Sequence, residues 1–122
     1  MITYNFGIYI MSEKSFLIQT FEVGPMLNMI YLIVDKATKK TAIVDPAWDL
    51  SDAYAFISDN HLILDKILLT HSHHDHVNSI DQILKTNDLP IHLNIHEKKF
   101  WNKHYDNFSL HHGGDIVKLG KT

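Results

Sequence analysis

Cysteine is absent from the chain. There can be no disulfide, no thiolate nucleophile and no zinc–thiolate knot, and this usage fits a cytoplasmic protein. No apolar run approaches the length of a membrane span. The N-terminus has no basic start followed by an apolar block. Instead Ile2, Tyr4, Phe6, Ile8 and Ile10 alternate in the strand period, so it does not read as a signal peptide. Excess positive charge is also missing. The formal net charge is -3, and Lys39-Lys40 and Lys98-Lys99 are the only basic doublets, so nothing proposes nucleic acid as a partner.

What is present suits one soluble globular domain: 122 residues, 45% hydrophobic and 20% charged. Such a chain can bury a core with little to spare. Residues 1–15 read as an edge strand or as an N-terminal extension, since Met11 opens "MSEKSF", itself a natural start. The segment "FLIQTFEV" (16–23) predicts a strand broken by Gly24-Pro25. "MIYLIVD" (29–35) is apolar throughout, as in a strand buried on both faces. "TAIVD" (41–45) follows a polar turn and predicts a hairpin partner ended by Pro46. Leu50, Ala53, Tyr54 and Ile57 form one helical stripe, with Asp49 or Ser51 able to cap it.

"DKILLT" (65–70) predicts a short buried strand. Val77, Ile80, Ile83 and Leu84 predict a second amphipathic helix. Further expectations are a strand at 90–93, a helix at 96–103, a turn at Gly113-Gly114 and a strand at 115–119. Strands first, then strand and helix in alternation, predict an α/β layered domain.

The ten histidines are the unusual feature of the composition, and four of them fall within "THSHHDH" (70–76). This loop lies between a buried strand and a helix, where α/β folds place their sites. His71 and His73 are two apart, so in an extended segment both imidazoles point the same way and can chelate one cation. Asp75 and His76 follow where the chain turns into the helix and can hold a second. Nitrogen and oxygen donors of this kind suit zinc, and also iron or manganese. His74 sits between these residues and reads as a rim residue in solvent.

"THSHHDH" matches the His-x-His-x-Asp-His motif of the metallo-β-lactamase fold superfamily. "NMIYLIVD" resembles that family's Asn-x-x-Tyr strand. "AIVDPA" resembles its strand ending in Asp-Pro-Gly, with Ala47 in place of glycine. "GGDIVKLGKT" resembles its Gly-Asp-x-x-x-x-Gly hairpin. The likeness runs from about residue 16 to 122 and is greatest to the glyoxalase II-like thioesterase branch. It implies an α/β fold that is the N-terminal half of an αββα sandwich, a mixed sheet with helices on one face.

The resemblance further implies metal ligation by His71, His73, Asp75 and His76, with one or two zinc ions and iron or manganese as alternatives. Asp45 would support the metal loop from behind; read without the family, it is a strand-end turn residue, and both readings stand. The implied reaction is hydrolysis of a small-molecule thioester or ester by metal-bound hydroxide, with Asp75 both ligating and orienting the nucleophile. The family often has Gly-Gly after its last motif histidine and Val; this chain has Asn78-Ser79.

Later family ligands, a further histidine and a bridging aspartate, are not found before Thr122. Residues 16–122 therefore read as a metallo-β-lactamase-like domain cut short ahead of those motifs, with a homo-oligomer or a second chain covering the exposed sheet face. Of the remaining histidines, His92, His96, His104, His111 and His112 read as surface or packing residues. Two other functions fit the motif. One is a persulfide dioxygenase-like iron enzyme. The other is a non-catalytic or partner-dependent metal-binding half-domain.

Overall fold

The structure is a computed structural model that describes residues 15–103 and 105–121. The edge-strand expectation for the N-terminus and the reading of His104 fall outside these residues. Among the described residues, six strands form one sheet whose spatial order is the order of the chain. They are β1 (Phe16–Val23), β2 (Asn28–Asp35), β3 (Lys40–Val44), β4 (Ile63–Leu68), β5 (Ile91–Asn94) and β6 (Phe108–His111). The first three strands are antiparallel hairpin partners, and β3 through β6 are parallel. Parallel neighbours need crossovers. These are supplied by α1 (Ser51–Asp59), by α2 (His74–Val77) with α3 (Ile80–Leu84), and by α4 (Ile95–Lys98) with the loop after it.

The core lies between the helices and one face of the sheet. Ile30, Leu32, Ile43, Ile67 and Ile91 from the strands meet Leu50 and Ala53 at α1 and Ile80 and Ile83 of α3, all buried. Each of these isoleucine and leucine side chains contributes roughly 1.5–3 kcal/mol relative to exposure. Leu50 is the N-cap of α1 and makes no side-chain cap; Asp49, one residue earlier, steadies the first turn, its Oδ1 accepting from Ser51 N at 2.9 Å and Ser51 Oγ at 2.6 Å. The mixed α/β sheet with helices on one face agrees with the expected class.

Several local expectations are corrected. The stripe Val77, Ile80, Ile83, Leu84 is carried by two short helices that break at Asn78-Ser79. Val77, Ile80 and Ile83 are buried and Leu84 partly so, and the periodicity survives the break. The expected helix at 96–103 covers only Ile95–Lys98. The strand expected at 65–70 runs Ile63–Leu68. No strand forms at 115–119; an unanticipated parallel edge strand, β6, precedes it.

The segment 117–121 crosses the sheet face opposite the helices. Lys66 Nζ donates to Lys118 O, Lys121 N donates to Asp35 Oδ2 at 3.1 Å, and Leu119 is buried. Gly120 has φ +57, and a Cβ there would collide with Asp35 and Thr38, so only glycine permits this approach. By strand register the rest of this face carries Ile18, Tyr31, Ile33, Leu68, His92, Ser109 and His111. No helix among the described residues is long and apolar enough to cross a membrane.

Candidate metal centre

Strand β3 ends in a sharp turn. Asp45 adopts φ +53 and Trp48 φ +57, left-handed conformations that are uncommon outside glycine. Strained backbone of this kind clusters at functional sites. The turn aims the Asp45 carboxylate, which is only 4% exposed, at the loop that follows β4. Its Oδ1 accepts from Thr70 N at 2.8 Å; its Oδ2 accepts from Thr70 Oγ1 at 2.5 Å and faces His76 Nδ1 at 3.0 Å.

These contacts fix two histidine tautomers. A carboxylate only accepts, so the one Thr70 hydroxyl proton goes to Asp45. Thr70 Oγ1 must then accept from His71 Nδ1, 2.9 Å away. His71 therefore carries its proton on Nδ1 and leaves Nε2 bare. His76 is fixed from both sides. Its Nδ1–H donates to Asp45, and its Nε2 lies 3.3 Å from the Asn28 side-chain nitrogen. Asn28 cannot be flipped, because Trp48 Nε1–H, a donor only, lies 3.2 Å from Asn28 Oδ1. Hence His76 Nε2 is unprotonated, and its lone pair accepts from the Asn28 amide.

The sequence-predicted residues are brought together as follows. The His71 ring lies 4.1 Å from that of His76 and 4.5 Å, edge-on, from that of His73, centroid to centroid. Asp75 Oδ2 lies 3.6 Å from His76 Nε2 and accepts from Asn28 Nδ2 at 2.9 Å. That bond above all, and after it the neighbouring His76 and His73, holds the Asp75 carboxyl below its ordinary pKa.

Among the described residues, Asp45, His71 and His76 are a group whose ligand atoms lie within 4.8 Å of one another. The oxygens of Asp45 are already engaged by Thr70 and His76, which suits it to orienting ligands rather than being one. Imidazoles with bare Nε2 and tethered Nδ1–H, beside an ionised carboxylate, form a donor set that fits a divalent cation.

Alternate loop residues face elsewhere. Ser72 turns away from the histidines: its N and Oγ donate to Glu97 Oε1 at 3.0 and 3.2 Å, tying the loop to α4. His74 is exposed and meets the Trp48 ring edge-on at 6.2 Å. It also rims a cleft of about 470 Å³ that Trp101, Lys103 and Tyr105 line further out.

Two residues that sequence reasoning did not single out complete the site, Asn28 and Trp48. Asn28 is the first residue of the strand quoted for the family likeness, and that was the available signal. Trp48 had none. Its peptide is gripped by the pair that replaces the family's glycines: Trp48 N donates to Asn78 Oδ1 at 2.7 Å, and Ser79 Oγ donates to Trp48 O at 2.6 Å. Its ring lies over Gly24, where a Cβ would collide with it.

Comparison with known proteins follows the same lines. The family model described as Metallo-beta-lactamase superfamily matches residues 23–121. A probable polyketide biosynthesis zinc-dependent hydrolase, PksB of Bacillus subtilis (strain 168), is 28% identical over 95 residues, 78% of this chain and 42% of that protein. A hydroxyacylglutathione hydrolase of Psychromonas ingrahamii is 38% identical over 73 residues, 60% of this chain and 28% of that protein. The crystal structure of TTHA1623 in a di-iron-bound form matches with TM-score 0.58 and 27% identity, covering 67% of this chain and 40% of that one. The chain thus spans less than half the length of each of these proteins.

Proposed function

The chain belongs to the metallo-beta-lactamase superfamily, and we propose that it supplies the His-x-His-x-Asp-His half of a metal-dependent hydrolase acting on a small-molecule thioester or ester. The observation that carries this reading is the paired tautomer: His71 and His76 both keep Nε2 unprotonated while Thr70 and Asp45 hold their Nδ1 protons. His71 and His73 would hold one cation, and Asp75 and His76 a second. Zinc is favoured by the relative named for zinc dependence, and a thioester substrate by the one named for hydrolysis of hydroxyacylglutathione. Iron and manganese suit the same donors.

A bound divalent cation supplies Lewis acidity, polarising a carbonyl and making water nucleophilic near neutral pH. The protein's own part is positioning. Asp75, kept ionised by the Asn28 amide, can accept a proton from an attacking water and orient it towards a carbonyl. Asp45 fixes the ring of His76 and, through Thr70, that of His71, so neither ring has to reorganise when a cation binds.

The experiment compares hydrolysis of a generic thioester, with added zinc, by the native chain and by His71→Ala/His73→Ala. Loss of rate in the double variant is the expected result; equal rates would remove the case for metal catalysis. We also propose that the partly apolar face bearing Ile18, Tyr31 and Ile33 is covered by a second copy of this chain. An apolar sheet face open to water is an association site.

A further inference from the structure

Asn28 contacts both members of the Asp75–His76 pair. Its side-chain nitrogen is 2.9 Å from Asp75 Oδ2 and 3.3 Å from His76 Nε2, the two atoms proposed to share a second metal ion. Both amide hydrogens are used, one on each acceptor. The amide is held in this orientation from behind by Trp48 Nε1–H on its Oδ1 at 3.2 Å. Trp48 is itself fixed by Asn78 and Ser79. Asn28 is only 9% exposed, so no water competes freely for the same contacts.

We propose that the Asn28 amide is a built-in occupant of the Asp75–His76 position, so that a metal ion is admitted there only by displacing it. Asn28 and Trp48 then set the balance between one-metal and two-metal protein. The inference rests on the metal reading of the loop given above. The amide hydrogens offer partial positive charge to a carboxylate and an imidazole lone pair, as a cation would, but without ligand-field or Lewis-acid chemistry. The cation at His71 and His73 meets no such competitor, since Asn28 makes no hydrogen bond to either histidine.

The opposite expectation is equally definite. If Asn28 merely holds Asp75 and His76 ready for metal, removing it loosens two ligands and weakens binding. The two readings therefore differ in sign. The test is equilibrium dialysis and visible spectroscopy with cobalt(II), repeated with zinc, on the native chain, Asn28→Ala, Trp48→Phe and the control His71→Ala/His73→Ala.

The proposal expects Asn28→Ala to bind its second equivalent roughly tenfold more tightly, the worth of one net hydrogen bond, while the first equivalent is unchanged. Trp48→Phe keeps a ring over Gly24 but releases the amide, so it should shift in the same direction. It also provides the measurement if Asn28→Ala fails to fold. A second equivalent that binds no more tightly in either variant overturns the proposal and leaves the metal reading intact. Absence of any histidine-dependent binding in the native chain and both variants overturns the metal reading and this proposal together.

Discussion

His76 Nδ1 stands 3.0 Å from Asp45 Oδ2, joining the histidine loop to the turn that ends β3. The same carboxylate holds Thr70 by two hydrogen bonds. One buried side chain thus sets the ring of His76 directly and that of His71 through the threonine hydroxyl.

Replacing that carboxylate is the most direct test of its supporting role. Asp45→Asn keeps the shape and tolerates positive φ, but one amide position donates where an acceptor is needed. Stability should fall by about 1–3 kcal/mol, and zinc affinity by about 10–100-fold. Urea denaturation and competition with a chromophoric chelator measure the two effects.

Metal should stabilise the folded chain by mass action. At free zinc about 100-fold above Kd the gain is about 2.7 kcal/mol. A thermal melt should rise on adding zinc and return to its starting point with a chelator. The same addition should leave His71→Ala/His73→Ala close to its metal-free melting temperature.

The Asn78-Ser79 pair should matter through Trp48. Changing both to glycine removes an acceptor and a donor from the Trp48 peptide groups, and the expected cost is about 1–3 kcal/mol for each unpaired group that becomes buried. The Trp48 environment should also become more mobile. Denaturation midpoints and tryptophan fluorescence anisotropy read these changes, with Trp101 replaced by phenylalanine in both proteins.

The sheet face opposite the helices should make stability depend on pH. His92 lies there beside His111 of β6, with Nδ1 2.8 Å from His111 Nε2, and with Lys66 and Asp65 of β4 nearby; Asp115 faces the far nitrogen of His111 at 3.5 Å. Burial, and after it His111, holds the His92 pKa below the ordinary 6.5. The unfolded chain therefore takes up a proton first as pH falls. This contribution to stability is fully present above about 6.5 and is lost progressively below it. His92→Leu should lose less stability than the native chain between pH 7.5 and 5.5 in urea titrations.

Self-association through that face is expected to appear in sedimentation. Sedimentation velocity across a range of concentrations should show a species heavier than 14.1 kDa. A compact monomer at high concentration would count against it.

The antiparallel part of the fold was legible because apolar strand runs and the turn residues between them act locally. "FLIQTFEV" and "NMIYLIVD" pair along their whole length. The histidine loop was legible because imidazole and carboxylate donors are seldom crowded so closely along a chain unless they hold a cation. The break at Asn78-Ser79 was not, since Val77, Ile80 and Ile83 remain buried whether or not the helix is continuous.

The strand Phe108–His111 was missed because an edge strand with Ser109 and His111 on one face lacks an apolar signature. "DIVKL" has the apolar residues of a strand, yet Lys118 O is held by Lys66 and the following Lys121 N by Asp35, both distant in sequence. The couplings of Asn28 to Asp75 and of Trp48 to Asn78 span 47 and 30 residues. No local pattern encodes them.

The sheet's spatial order, identical to its order along the chain, carries a kinetic consequence. Each strand can add to the one made just before it, and no early strand waits for a late one. The hairpins β1–β3 close short loops and should form first; the parallel strands close longer ones and should follow. Thr70 and Asp45 sit at the seam between these two stages. The metal loop is therefore expected to gain its shape only when the slower half docks, and pulse-labelled hydrogen exchange should find the Thr70 amide protected after those of β2.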